Sequence, residues 1–157
     1  MAFSHLGHNC LIGDNVVIAN ATLLAGRVQV ERNAFISAGC MVHQFARIGR
    51  LAMVGGGSAV VQDVPPFCMM QEKCIQGLNA VGLRRANWSA EASDAIKSAV
   101  KIYFFAGLNR MNAVAQIRAE VPLLPEVEEF IAFVETTKRG ITSGRPARHT
   151  AAIRDSE

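Results

Sequence analysis

The sequence predicts an all-β plus α protein: a parallel β-helix of hexapeptide repeats followed by a small C-terminal helical domain. Two observations predict the coil. Every sixth residue is aliphatic (Leu6, Ile12, Ile18, Leu24, Val30, Ile36, Val42, Ile48, Val54, Val60), and the residue four after each is small or slim, from Cys10 and Val16 to Ser58 and Val64. A period of six fits neither the 3.6 of a helix nor the alternation of an ordinary strand. It fits a three-sided coil in which each aliphatic side chain points inward at a corner and each small one fills the interior beside it. Three repeats then make a turn of about eighteen residues, and successive turns hydrogen-bond like strands roughly 4.8 Å apart. A change to helical periodicity from Trp88 onward is the third observation.

The elements follow in order. Residues 1–66 form the coil, whose register ends at Val64-Pro65-Pro66, because two prolines cannot donate to a further ladder. Residues 67–87 connect it to the helical domain, residues 88–140. There Ser89 is placed to cap a helix carrying Ala92, Ile96, Val100 and Tyr103 or Phe104 on one stripe, ending near Gly107. A second short helix is expected over residues 112–120, stopped by Pro122. Pro125 suits the start of a third, with Val127, Phe130, Ile131 and Val134 on one face and Gly140 at its end. Residues 141–157, polar and carrying Arg145, Arg148 and Arg154, read as a disordered tail. The repeat is already in full stride at Leu6, with no room for a capping turn. That favours a chain forming the C-terminal part of a longer β-helix, the alternative being a partner over the exposed edge.

Composition narrows the function classes. The 157 residues are 50% hydrophobic with a formal charge of +3, too mild a basicity for nucleic acid without a basic stripe, and the single Trp and single Tyr offer no stacking platform. The four cysteines include no CxxC pair. Cys10 and Cys40 occupy interior positions on different sides of the coil, so reduced thiols are expected. The N-terminal residues lack a signal-peptide pattern, and no apolar run approaches eighteen residues. These features predict a soluble cytoplasmic protein without stable membrane insertion.

The period also assembles a candidate site. Counting by eighteen stacks His8, Gly26 and Gln44 in one column, with His43 beside it and His5 on the same side two turns below His43. A neutral imidazole accepts a proton near pH 7, and a glycine leaves a backbone N–H open to a developing oxyanion. Acyl transfer to a hydroxyl needs those two groups and neither metal nor cofactor. Zinc is the rival chemistry for three histidines, as in β-helical carbonic anhydrases, but no acidic residue is well placed to orient them. The run Gly55-Gly56-Gly57 lacks the Lys-Ser/Thr and following helix of a phosphate loop, and reads instead as room for an apolar chain at a corner.

The segments HLGHNCLIGDNVVIAN, LLAGRVQV, MVHQFARIG, MVGGGSAVVQDVPPF, LNAVGLRR and PEVEEFIAFV followed by KRG resemble, in this order, the UDP-N-acetylglucosamine acyltransferase family of lipid A biosynthesis, over about residues 1–140. The helical ending resembles this family rather than the related N-acyltransferase of the same pathway. The resemblance implies a homotrimer of left-handed β-helices that transfers a hydroxyacyl chain from acyl carrier protein to the 3-hydroxyl of UDP-N-acetylglucosamine. By position it implies His8 as general base and Gly26 as oxyanion amide, with His5, Asn9, His43 and Gln44 in the same cleft. Gly56 matches an acyl-chain ruler, and Asn79 and Arg85 match positions on the nucleotide and carrier-protein side.

The sequence also departs from the family pattern. Asn9 stands where an acidic residue is common, Arg27 where another histidine is usual, and Val81 and Ala86 where nucleotide contacts are polar; the segment before Asn79 is shortened. The family's earlier coils have no counterpart before Met1. Arg84, Arg85, Lys97 and Lys101 are candidates for a basic face toward the acidic carrier. The alternatives to an O-acyltransferase are a trimerising β-helix paralogue without catalysis and a metal-dependent β-helix enzyme.

Overall fold

The computed structural model describes residues 1–146. Ten two-residue strands recur every six residues: His5–Leu6 (β1), Leu11–Ile12 (β2), Val17–Ile18 (β3), Leu23–Leu24 (β4), Gln29–Val30 (β5), Phe35–Ile36 (β6), Met41–Val42 (β7), Arg47–Ile48 (β8), Met53–Val54 (β9) and Ala59–Val60 (β10). They build three parallel faces, ordered β1-β4-β7-β10, β2-β5-β8 and β3-β6-β9, and each rung pairs with the residue eighteen later, as Leu6 with Leu24 and Leu24 with Val42.

The aliphatic residues lie on the flat faces rather than at the corners. Each is the second residue of its strand, while the small residue four later follows the turn and directly precedes the next strand. From Leu24 to Val60 the aliphatic series is buried; Leu6 and Ile12 are exposed because no rung packs beneath them. Interior hydroxyls and thiols find carbonyls fifteen residues on, one coil above: Ser4 Oγ to Ala19, Thr22 Oγ1 to Ser37, Cys10 Sγ to Ala25 and Cys40 Sγ to Gly55, at 2.8–3.2 Å. Ser58 Oγ is buried without such a partner, since position 73 lies in a hairpin turn rather than at a coil corner. All four cysteines are free, and burial pushes the Cys68 thiol well above its ordinary range.

Each corner carries a second period of six. Phe3, Asn9, Asn15, Ala21, Arg27, Asn33, Gly39, Phe45, Leu51 and Gly57 all have φ between 55° and 69°. Asn and Gly meet this left-handed demand at low cost, whereas other residues there bear roughly 1–2 kcal/mol of strain.

The ladder does not stop at the two prolines. Val64 bridges Ile48 and Met70 pairs with Val54, each sixteen residues on rather than eighteen, so the last turn is shortened by two and Pro65-Pro66 occupy a corner. Cys68–Gln71 (β11) extends the third face, and Cys74–Leu78 (β12) folds back antiparallel on it. The segment 67–87 is therefore a hairpin followed by a short helix, Ala80–Arg85 (α1), rather than a plain connection. The missed signal is alternating burial, Cys68 and Met70 inward and Met69 and Gln71 outward.

Three further helices follow: Ala90–Phe105 (α2), Arg110–Glu120 (α3) and Pro125–Glu135 (α4). Ser89 Oγ accepts from Ala92 N–H and Asn109 Oδ1 from Asn112 N–H, which moves the start of α3 two residues ahead of the expected one. Ile96, Val100, Ile117, Val127, Phe130, Ile131 and Val134 form the helical core, continuous with that of the coil. α4 ends at Glu135, five residues before Gly140. Ile141 then bridges Asp63 and Gly144 bridges Ile75, so residues 141–144 return to the coil instead of starting a tail. Arg148 and Arg154 lie outside the described residues.

Two arginines fasten α4 to the coil. Arg47 pairs with buried Asp63 at 3.1 Å, stacks 4.1 Å over the Phe133 ring and donates to the Phe133 carbonyl at 2.9 Å. Arg50 grips Glu129 through Nε and Nη2 at 2.7–3.1 Å and packs against Phe67 and Trp88. Planar guanidinium groups satisfy carboxylates and aromatic faces together, which an ammonium does less well. The helical domain is thereby set over the second face.

Candidate active site

A cleft of about 620 Å³ runs along the first face and its corner, lined by His5, His8, Gly26 and His43 over an apolar floor that includes Leu23, Met41 and Val61. Sequence reasoning missed the floor. Its signal is the residue before each inward aliphatic, which alternation turns outward, and on this face Leu23 and Met41 stand there half exposed.

At the corner, His8 and Gly26 are one coil apart. A methyl group built on Gly26 would lie 2.8 Å from Cδ2 and Cε1 of the His8 ring and closer still to Nε2. The imidazole thus occupies the space that any side chain at position 26 would need. The glycine's first role is to admit the ring. Gly26 N–H has no protein acceptor among the described residues, while its neighbours are engaged, Ala25 N–H with Val42 O and Arg27 N–H with His8 O.

Asn9, in the left-handed corner position at φ 57°, places Oδ1 3.0 Å from His8 Nδ1. An amide oxygen has no proton to give, so the contact puts the imidazole proton on Nδ1 and leaves the lone pair on Nε2, beside Gly26. This is a neutral counterpart of a carboxylate–histidine pair. It fixes the tautomer without placing a negative charge beside the ring. His43 Nδ1 lies 3.2 Å from the Gln44 carbonyl. Gln44 itself is exposed and outside the residues lining the cleft.

The remaining expected positions lie elsewhere in a single chain. Gly56 is at the corner between the third and first faces, and a methyl there would meet only Ala38 O at 3.5 Å and Ser37 Cβ at 3.8 Å, ordinary contacts. Asn79, expected on the nucleotide side, is engaged within the fold of the single chain. It is buried, accepts from Gly82 N–H at 3.0 Å as the cap of α1, and donates through Nδ2 to Leu51 O at 2.8 Å, which ties that cap to the coil. Arg85 is exposed in the last turn of α1 and is outside the residues lining the histidine cleft. Among the described residues no three His, Cys, Asp or Glu side chains converge as a metal-binding group.

The chain is similar to known proteins. The family model described as UDP N-acetylglucosamine O-acyltransferase, domain 2, matches residues 63–142. Acyl-[acyl-carrier-protein]–UDP-N-acetylglucosamine O-acyltransferases from Anaeromyxobacter sp. (strain K) and Aliarcobacter butzleri are 42% and 40% identical over 144 and 147 residues, 90% and 92% of this chain. The chain spans 56% of the length of each. In structure it superimposes on the Bacteroides fragilis enzyme with TM-score 0.86 at 37% identity, covering 88% of this chain and 55% of that one. The Arabidopsis enzyme gives 0.83 at 32%, covering 89% and 53%. With a left-handed β-helix, a matching helical ending and this level of identity, the chain belongs to the UDP-N-acetylglucosamine O-acyltransferase family.

Proposed function

We propose that this chain carries the acyl-transfer corner of such an enzyme, moving a 3-hydroxyacyl chain from acyl carrier protein to the 3-hydroxyl of UDP-N-acetylglucosamine. The observation that carries the reading is the His8 ring seated over Gly26, its Nδ1 held by Asn9, at the edge of an apolar cleft. In this reading Nε2 takes the proton of the sugar hydroxyl as its oxygen attacks the thioester carbonyl. The oxyanion accepts from Gly26 N–H; the C–S bond then breaks, and the imidazolium returns the proton to the leaving thiolate. Leu23, Met41 and Val61 give the acyl chain an apolar bed.

The site is open on one side in a single chain. Gly56 lies at another corner, and apolar side chains on the first and third faces, Leu23, Met41 and Phe35, are exposed, which favours a homotrimer in which a neighbour closes the cleft and contributes Gly56 and Arg85. Arg84, Arg85, Lys97 and Lys101, all exposed, suit an acidic carrier protein. The free cysteines fit a reducing cytoplasm, and no described helix is long and apolar enough to cross a membrane. A second reading, self-association without turnover, is favoured by the exposed Leu6 and Ile12 of the first turn.

The two readings separate in one experiment, in which the chain is incubated with hydroxyacyl carrier protein and UDP-N-acetylglucosamine and the ester is sought by mass spectrometry. Product that disappears in His8→Ala supports transfer. Trimers that form no product support the second reading, and full activity in His8→Ala overturns the assignment of the base.

A further inference from the structure

A second cavity, about 870 Å³, opens on the other side of Asn9, between the second face of the coil and the segment that follows α4. Its walls carry Arg27, Arg47, Lys138 and Arg139 against a single carboxylate, Asp63. That local surplus of three positive charges equals the formal charge of the whole chain, +3.

The surplus is available. Asp63 is taken by Arg47, which binds it through Nε at 3.1 Å and through its backbone N–H at 2.9 Å, and by Thr137 Oγ1 at 2.7 Å. Arg139 is held in place by Nε on the Val61 carbonyl at 2.9 Å, and neither Nη group has a partner among the described residues. Arg27 and Lys138 have no carboxylate partner among the described residues. The floor is not polar throughout: Phe45, half exposed, lies under the Arg27 guanidinium at 5.7 Å, and Leu11 is 63% exposed beside it. Arg27 and Phe45 also occupy left-handed corner positions, φ 60° and 64°, where Asn or Gly would fit with less strain. Among the described residues the Arg27 side chain makes no hydrogen bond or ion pair, only its stacking on Phe45. A ligand gives both a use.

We propose that this groove binds an organic phosphate, with Arg27, Lys138 and Arg139 on the phosphate oxygens and Phe45 and Leu11 under an apolar or ring portion. Guanidinium and ammonium groups converging from two walls suit the anionic oxygens of a phosphate, and a guanidinium already stacked on an aromatic ring is pre-oriented. The inference rests on the acyl-transfer reading for its choice of ligand. Both substrates of that reading carry phosphate, as a nucleotide diphosphate or as the phosphodiester of a carrier's pantetheine arm. Asn9, which lines this groove and also holds His8, puts the phosphate next to the base.

Calorimetric titration of the full chain with UDP, 4′-phosphopantetheine and pyrophosphate tests it without requiring turnover, so absence of acyl transfer does not prejudge the outcome. One of the two organic phosphates should bind at least about tenfold more tightly than pyrophosphate, and weaken several-fold between about 50 and 200 mM salt. Which one binds identifies the source. Lys138→Gln with Arg139→Gln should weaken it about tenfold or more, and Phe45→Asn, which keeps a residue tolerant of the left-handed corner, should weaken the organic phosphate while sparing pyrophosphate. No saturable binding of either organic phosphate, parity with pyrophosphate, or affinity unchanged in the charge variant would each overturn the proposal.

Discussion

Two corners of the coil carry glycines for opposite reasons. At Gly26 the space of the missing side chain is already filled from within the molecule, by the His8 imidazole. At the Gly55–Gly57 corner the three glycines divide. Gly55 is overlain by the Gln71 amide, Gly57 has φ 69°, and Gly56 has neither constraint, with only ordinary contacts awaiting a methyl group. A glycine that the chain itself does not require is the one whose space is available to something else. The proposed reading gives catalytic geometry to the first corner and substrate size to the second.

The largest expected effect breaks the first corner. His8→Ala should lower acyl transfer by about 10³-fold, within the range for loss of a general base, with an unchanged far-ultraviolet circular dichroism spectrum. At the second corner, Gly56→Met should leave the melting temperature within a degree or two yet shift donor preference toward shorter acyl chains, by roughly tenfold in relative kcat/KM. Gly57→Ala separates conformation from space. It should cost about 1 kcal/mol in denaturant unfolding without changing chain-length preference.

The smallest effect concerns the corner between the second and third faces, where Glu31 accepts the Arg50 backbone N–H at 2.8 Å. Desolvation holds the Glu31 carboxyl above its ordinary value, opposed by that hydrogen bond. Its folded-state contribution is therefore fullest below the usual carboxylate range and is lost as pH rises through the raised value. Glu31→Gln should stabilise by roughly a few tenths of a kcal/mol at pH 7 and by nothing near pH 4, as read from urea midpoints.

The coil was legible because one residue in six is obliged to be aliphatic, and the same count brought His5, His8, Gly26 and His43 to one cleft. A second period was also on the page, in Asn9, Asn15, Asn33, Gly39 and Gly57, since left-handed corners favour those residues. Phe3, Ala21, Arg27, Phe45 and Leu51 interrupt it and conceal the pattern. The hairpin of β11 and β12 was hidden by a different cause: the last turn loses two residues, so Val64 and Met70 fall out of the eighteen-residue count that located everything before them. The fate of Asn79 was not readable at all. Its two hydrogen bonds, one of them to Leu51 twenty-eight residues away, are a product of tertiary packing.

The contrast between the corners rests on what fills the space at Gly26, and Gly26→Ala tests it most directly when transfer rate and unfolding midpoint are measured on the same preparation. The obstructing atoms belong to a side chain that can swing aside, so the account predicts a loss of transfer of about 100-fold or more with stability changed by less than about 1 kcal/mol. Transfer that survives the added methyl, or that falls only in proportion to unfolding, would contradict it.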